Sequence, residues 1–130
     1  MIIDTTFVLD VWDGDERAID RLELLERERI QQRFSAVTVF ELHHGVVRSN
    51  KPESEKRRVL DVLQSKPIVS ANERIMAKAG RLHGETINSG RRIGQSDCII
   101  AATAIICDEP VLTRNVDHFD RIDDVEIRSY

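Results

Sequence analysis

Short apolar runs alternate along the chain with longer segments in which apolar residues recur at helical spacing. The runs predict strands in five segments, which are 1–3, 33–37, 66–70, 110–113 and 124–129. The remaining segments predict helices over 5–12, 15–32, 38–49, 51–65, 71–90 and 95–106. Strands that alternate with helices are typical of βαβ units, in which parallel strands are covered by helices on both faces. We therefore predict an α/β fold, a three-layer α/β/α sandwich with a mostly parallel central sheet of about five strands.

Two of the predicted helices differ in how their apolar residues are distributed. Segment 15–32, DERAIDRLELLERERIQQ, repeats apolar residues at Ala18, Leu22 and Leu25 among charged ones, which indicates an exposed amphipathic helix. Segment 95–106, QSDCIIAATAII, is apolar on nearly all sides, which indicates a buried helix at the centre of the fold.

Length and composition predict a single domain over residues 1–130. The chain is 41% hydrophobic and 32% charged, which is ordinary for a globular protein. It has no apolar run of about 18 residues and no basic, apolar leader at its start, so we expect no membrane span and no signal peptide. Cys98 and Cys107 fall nine residues apart in one predicted helix, on different faces, so we expect reduced thiols and a cytoplasmic protein.

The net charge of −4 argues against a protein that binds nucleic acid through an overall positive charge. It still permits an enzyme that reaches RNA through bound cations and a local basic rim.

Acidic side chains fall where several predicted strands end. Asp4 directly follows the first strand, and Glu41 lies in the first two turns of the helix after the second strand. Asp97 lies at the start of the buried helix, whereas Asn115 and Asp117 follow the fourth strand. In parallel sheets, ligands bind outside the carboxyl ends of the strands, so these residues are expected at one edge of the sheet.

Each acid also has an ordinary structural explanation. Asp4 could cap the helix that follows it, which would contribute about 0.5–2 kcal/mol. Asp97 could complement the helix dipole, with Ser96 as the cap, and Glu41 could be an exposed salt-bridging glutamate. Asp117 alone is typical of a solvated loop.

These separate structural explanations become less satisfactory if the acids share one pocket. Three or four carboxylates in one pocket repel each other and lose hydration unless protons or cations compensate. Clusters of oxygen ligands suit Mg²⁺ or Mn²⁺, which can activate a water and polarise a phosphodiester. The pattern therefore indicates metal-dependent phosphoryl chemistry.

Four segments together resemble the acidic motifs of a known family. MIIDTTFVLD, SAVTVFELHHG, IGQSDCIIAATA and VLTRNVDHF are similar, in this order, to the four motifs of PIN-domain ribonucleases. The resemblance covers essentially the whole chain and is greatest to the VapC type, the toxin half of type II toxin–antitoxin pairs. It implies a Mg²⁺-dependent endoribonuclease, with Mn²⁺ as a substitute, that leaves a 5′-phosphate and a 3′-hydroxyl.

The resemblance also implies roles for the matching residues. Asp4, Glu41 and Asp97 match the three core acids of the family, with Asp4 and Asp97 as direct metal ligands. Glu41 would complete the cluster through a second ion, a bound water or activation of the nucleophile. Thr6 stands where serine or asparagine is common, and its hydroxyl would orient Asp4 or a metal-bound water. Thr6 is also a candidate RNA-binding residue.

The fourth acidic position departs from the family pattern. This chain has Asn115 where aspartate is common, and His118 where a further acid precedes the phenylalanine. Either Asn115 or Asp117 would fill the position.

Three arginines flank the third and fourth motifs. Arg91, Arg92 and Arg114 are expected either to bind RNA phosphates or to be ordinary surface arginines.

Family membership further implies partners. We expect a VapB-like antitoxin that inserts a segment, often with a basic side chain, into the active-site groove. We also expect a homodimer and a heterotetramer or larger assembly with the antitoxin. Segment 15–65 offers apolar stripes for both contacts.

Other functions fit the residues less well. A haloacid-dehalogenase-type phosphatase needs an aspartate where Thr6 stands, and a receiver domain needs a lysine where LTRN stands. The histidines lack the spacing of a zinc site. The alternative that stays open is a catalytically inactive PIN-like module that binds RNA or acts as a scaffold.

Overall fold

The central sheet has five short strands that all run in parallel. A computed structural model describes all 130 residues of the chain. The strands are β1 Ile2–Ile3, β2 Arg33–Ser35, β3 Ile68–Val69, β4 Val111–Leu112 and β5 Ile127–Arg128. They lie in the order β3-β2-β1-β4-β5, and every neighbouring pair is parallel. The prediction of a mostly parallel, five-stranded sheet is confirmed.

Seven helices connect and cover the strands. They are α1 Thr5–Trp12, α2 Glu16–Arg27, α3 Ala36–Arg48, α4 Pro52–Ser65, α5 Glu73–Asn88, α6 Gln95–Cys107 and α7 Val116–Phe119. The four-residue helix α7 was not expected from the sequence, because it is too short to show helical periodicity.

Several predicted boundaries differ from the observed ones by two to five residues, and two of these differences have a clear local cause. The helix predicted over 15–32 ends at Arg27, and Arg29 has a φ of 55°, a left-handed conformation that a helix does not continue through. The strand predicted over 33–37 stops at Ser35, whose hydroxyl accepts a hydrogen bond from the backbone N–H of Val37 and caps α3.

Side-chain alternation in the central strands divides the core into two layers. Ile2 and Val111 point to one face, where they pack with residues of α5 and α6 such as Ile100. Ile3 and Leu112 point to the other face, where α1 to α4 cover them. Successive residues of a strand point to opposite faces, so both residues of these strands are buried. The three-layer α/β/α prediction is confirmed.

Helix α6 is the buried central helix that its composition predicted. Residues 100–104 of this helix are all buried, and α6 packs against α5 and against the strands β1, β2 and β4. Cys98 and Cys107, both on α6, are free thiols. None of the seven helices is both long and apolar enough to span a membrane.

The sheet topology creates a crevice beside β1. The chain passes from β1 to β2 on one side, whereas β4 pairs with β1 on the other side. Ligands of open parallel sheets bind at such a reversal of strand order, outside the carboxyl ends of the strands. Asp4 follows β1 and Thr113 follows β4 at this place.

Candidate active site

Asp4 is held at the end of β1 by two hydroxyl groups rather than by the helix after it. It occupies the N-cap position of α1, yet its side chain makes no capping hydrogen bond. Its Oδ2 accepts hydrogen bonds from Thr6 Oγ1 at 2.8 Å and Thr113 Oγ1 at 2.6 Å. The residue is only 2% exposed. Capping of α1 therefore does not explain the buried carboxylate of Asp4.

Glu41 lies in the second turn of α3 and contacts the first turn of α1. Its Oε1 accepts a hydrogen bond from Thr5 Oγ1 at 2.9 Å. Glu41 is half-buried, beside the half-buried start of α6. The exposed salt-bridging interpretation does not hold, because no cationic side chain pairs with it.

Asp97 lies in the first turn of α6. The cap of this helix is Gly94, so the expectation that Ser96 would be the cap is wrong. Asp97 Oδ2 lies 3.0 Å from His118 Nδ1. An ionised carboxylate only accepts hydrogen bonds, so the imidazole N–H is the donor. His118 thus holds one oxygen of Asp97.

Burial and neighbouring carboxylates raise the pKa of Asp4 and of Glu41. Burial raises the pKa of Asp4 above its ordinary value, and the nearby charge of Asp97 adds to the rise, while the Thr113 and Thr6 hydroxyls oppose it. Burial also raises the pKa of Glu41, with Asp4 and Asp97 adding to the rise and the Thr5 hydroxyl opposing it. The structure therefore brings Asp4, Glu41 and Asp97, which are far apart in sequence, close enough for the charges of the other acids to act on Asp4 and Glu41, and we call these three residues the acidic pocket.

Each of these carboxylates has one oxygen bound by the protein and one oxygen that receives no side-chain hydrogen bond. The bound oxygens are Asp4 Oδ2, Glu41 Oε1 and Asp97 Oδ2. Such an arrangement fixes each carboxylate and leaves an oxygen of each for a water or a cation.

The donor set fits a hard divalent cation with few protein ligands. No three acidic, histidine or cysteine side chains lie close enough to enclose a metal ion between them. Mg²⁺ usually keeps several waters and binds through one or two carboxylates, so a ready-made cage is not required. Asp4, Glu41 and Asp97 each keep one oxygen that could take part in such binding.

The fourth motif contributes through its backbone and through His118. The backbone N–H of Asn115 donates to Thr113 Oγ1 at 2.9 Å, which links it to the hydroxyl that binds Asp4. Asp117 is exposed on α7 and makes no hydrogen bond or ion pair. Asn115 is thus connected to the acidic pocket through Thr113, whereas Asp117 is not connected by any hydrogen bond.

The three arginines have different surroundings. The side chains of Arg91 and Arg92 are exposed and form no ion pairs. Arg114 pairs with the buried carboxylate of Asp10. Asp10 also accepts a hydrogen bond from Tyr130 Oη at 2.6 Å. Arg114 therefore ties the loop after β4 to α1.

Several residues of the site were not identified from the sequence. Thr5, Thr113 and His118 each bind one of the three acids. Their places gave a partial signal, since Thr5 comes two residues after β1, Thr113 directly follows β4, and His118 stands where the resemblance implied an acid. Threonine and histidine are common in many other settings, so only their contacts reveal the role.

An apolar cleft opens next to Glu41. Its volume is about 490 Å³, and α1, α3 and α4 supply most of its wall. Leu9, Trp12 and Phe40 line it together with Glu41, and Phe40 is 68% exposed. Apolar surface at the rim of an acidic pocket is suited to a ligand that is apolar at one end and cationic at the other.

Known proteins resemble this chain over nearly its whole length. The PIN domain family model matches residues 1–125. Ribonuclease VapC19 of Mycobacterium tuberculosis is 33% identical over 125 residues, which cover 96% of each chain. Ribonuclease VapC1 of Methanocaldococcus jannaschii is 28% identical over 131 residues, which cover 100% of this chain and 86% of the relative.

Solved structures share the fold. A crystal structure of VapBC2 from Rickettsia felis, bound to a DNA fragment from their promoter, contains a chain with a TM-score of 0.84 and 26% identity, covering 99% of this chain and 97% of that one. A DNA-bound VapBC from Salmonella typhimurium gives a TM-score of 0.85 at 23% identity, covering 98% and 96%, and supports the fold alone. The sequence and fold together show that this chain belongs to the PIN domain family, among its VapC-type members.

Proposed function

We propose that this chain is a Mg²⁺-dependent endoribonuclease that acts as the toxin of a VapBC-type toxin–antitoxin pair. The observation that carries the proposal is the pocket formed by Asp4, Glu41 and Asp97, in which each carboxylate is fixed through one oxygen. The relatives of similar length are named ribonucleases, which supports RNA as the substrate.

The proposed chemistry is hydrolysis of an RNA phosphodiester. When bound, Mg²⁺ or its substitute Mn²⁺ supplies activation of a water and polarisation of the phosphate. Asp4 and Asp97 would hold the ion, and the Thr6 and Thr113 hydroxyls keep Asp4 in place for that task. Glu41, whose pKa is raised by burial, would accept the proton of the attacking water, since raised carboxylate pKa values suit general bases.

Binding of RNA requires positive charge near the acidic pocket. Three carboxylates repel a phosphate backbone unless cations compensate. The exposed Arg91 and Arg92 precede α6, which carries Asp97, and are free to contact phosphates. Arg114 is already paired with Asp10 and would contribute mainly by holding the loop after β4.

A VapB-like antitoxin is the proposed protein partner. The VapBC complexes among the similar structures support such a partner. The cleft beside Glu41 fits an antitoxin segment whose apolar side chains contact Leu9, Trp12 and Phe40 while a basic side chain meets the acids. We further propose that the chain forms a homodimer and assembles with the antitoxin into a heterotetramer or a larger complex. Native mass spectrometry of the purified pair tests this assembly. We also propose that the protein acts in the cytoplasm, where its two free cysteines would stay reduced.

The central experiment expresses the chain alone and with the neighbouring antitoxin gene, and sequences cleaved RNA ends after induction. We expect growth arrest with the chain alone, rescue by the antitoxin, and new 5′-phosphate ends. Asp97→Ala is the control and should abolish both arrest and cleavage.

A metal titration separates this proposal from an inactive RNA-binding module. Calorimetry should detect Mg²⁺ or Mn²⁺ binding at millimolar concentration or below, and purified protein should cut RNA only with metal present. Harmless expression of a folded wild type that neither binds metal nor cuts RNA would contradict the nuclease proposal.

A further inference from the structure

Two buried threonine hydroxyls form a chain of hydrogen bonds that ends at Glu41. Thr5 Oγ1 lies 3.0 Å from Thr38 Oγ1 and 2.9 Å from Glu41 Oε1. Thr38 is 0% exposed and Thr5 is 5% exposed, so both hydroxyls are shielded from water, whereas Glu41 is half-buried. Neither threonine touches Asp4 or Asp97 through its side chain.

The number of hydroxyl protons determines which group donates in each of these hydrogen bonds. A hydroxyl has one proton to donate, and an ionised carboxylate can only accept. Thr5 must therefore donate to Glu41, which leaves its lone pairs for the proton of Thr38. The hydrogen bonds run from Thr38 to Thr5 and from Thr5 to Glu41, and each strengthens the next by polarisation.

These hydrogen bonds join the start of α1 to the first two turns of α3. Thr38 and Glu41 are three residues apart on α3 and share one helix face, whereas Thr5 begins α1 immediately after Asp4. A free glutamate has three rotatable bonds, so a contact from α1 selects one orientation of its carboxylate. This contact leaves Glu41 Oε2 without a hydrogen bond from the protein.

We propose that Thr5 and Thr38 are positioning residues that set the orientation of Glu41 relative to Asp4. Thr5 acts directly on the carboxylate, and Thr38 acts only through Thr5. The neighbouring Thr6 serves a different acid, because it donates to Asp4 Oδ2. This inference rests on the proposed nuclease function for its catalytic consequence.

A double-mutant cycle tests the inference. Valine variants remove the hydroxyl at nearly constant volume, and they are Thr5→Val, Thr38→Val and the double variant. The control variants Thr5→Ser and Thr38→Ser keep the hydroxyl. We expect Thr5→Val to lower the single-turnover rate of RNA cleavage about 10- to 100-fold, and Thr38→Val to lower it less. Because Thr38 acts through Thr5, the double variant should be no slower than Thr5→Val, and both serine variants should recover most of the rate. Independent, multiplicative losses, or serine variants as slow as the valine ones, would overturn the proposal.

A second measurement does not depend on cleavage. In crystal structures of the metal-free proteins, the Glu41 carboxylate should leave its wild-type position in Thr5→Val and keep it in Thr5→Ser. An unchanged Glu41 in Thr5→Val overturns the inference whether or not the chain cuts RNA. If wild type binds no metal and cuts no RNA while Glu41 moves as expected, only the proposed function fails. Thr5→Val carries the same test if Thr38→Val does not fold.

Discussion

His118 Nδ1 lies 3.0 Å from Asp97 Oδ2, so a histidine holds this acid at the place where the family resemblance led us to expect a further acid. The two residues are 21 positions apart in sequence and come from α6 and α7. The fourth motif thus contributes a hydrogen-bond donor to the acidic pocket in place of another negative charge.

Replacement of His118 should change metal affinity in a direction that depends on the new side chain. His118→Ala removes the donor that orients Asp97 and should weaken Mn²⁺ binding about 10- to 100-fold. His118→Asp adds a carboxylate and should bind Mn²⁺ more tightly than His118→Ala. Isothermal titration calorimetry gives both affinities. Equal affinities in wild type and both variants would show that His118 has no part in metal binding.

Loss of the Asp97 charge should remove cleavage without unfolding the protein. Asp97→Asn keeps the shape of the side chain, and we expect the cleavage rate to fall by about 10²-fold or more, since a metal contributes several kcal/mol to such reactions. Asp117→Asn is the matched control, because Asp117 is exposed and unpaired, and it should keep the rate within about threefold. Thermal unfolding of both variants monitors the fold. A slow Asp117→Asn would assign the fourth acidic position to Asp117 rather than Asn115.

The acidic pocket should make the metal-free protein less stable as the pH rises. Burial raises the pKa of Asp4 above 3.8 in the folded protein, and burial raises the pKa of Glu41 above 4.5. The folded state therefore binds these protons more tightly than the unfolded chain. The free energy of unfolding consequently falls as the pH increases from the ordinary pKa values through the raised ones.

Asp4→Asn removes part of this dependence. Urea unfolding with a chelator should show that the variant gains stability relative to wild type as the pH rises to neutrality, and that the gap closes in acid. Saturating Mg²⁺ should stabilise wild type by about 2.7 kcal/mol at 100 times its dissociation constant, and Asp4→Asn by much less. The opposite pH trend would contradict the assigned burial of charge.

Arg114 and the pair Arg91 and Arg92 should affect different properties. Arg114→Ala leaves the buried carboxylate of Asp10 with Tyr130 as its remaining partner, so we expect the free energy of unfolding to fall by roughly 1–3 kcal/mol. The double variant Arg91→Ala/Arg92→Ala should keep its stability and weaken RNA binding. The plot of log affinity against log salt should lose about 0.7 in slope for each phosphate contact removed.

Urea unfolding and fluorescence titrations with single-stranded RNA at several salt concentrations separate the two effects. An Arg114→Ala variant that is fully stable but binds RNA poorly would reverse the assignment, making Arg114 a phosphate contact.

Local patterns determined the architecture and the three core acids. Short apolar runs between amphipathic segments predicted the parallel sheet, because strands buried on both faces lack alternation and helices keep a polar face. Asp4, Glu41 and Asp97 were identified because each occurs at a strand end or helix start within a family-like motif. These features depend on residues within a few positions of one another, which a sequence displays directly.

Tertiary contacts decided what each side chain does. Asp4 was compatible with a helix cap until Thr113, which is 109 residues away, was found to bind the same oxygen as Thr6. Arg114 was expected either at RNA phosphates or as an ordinary surface arginine, yet Asp10 pairs with it, and the sequence showed no partner for His118. Hydrogen bonds and ion pairs of this kind act over about 3 Å in space, and only the folded backbone sets which distant residues come that close.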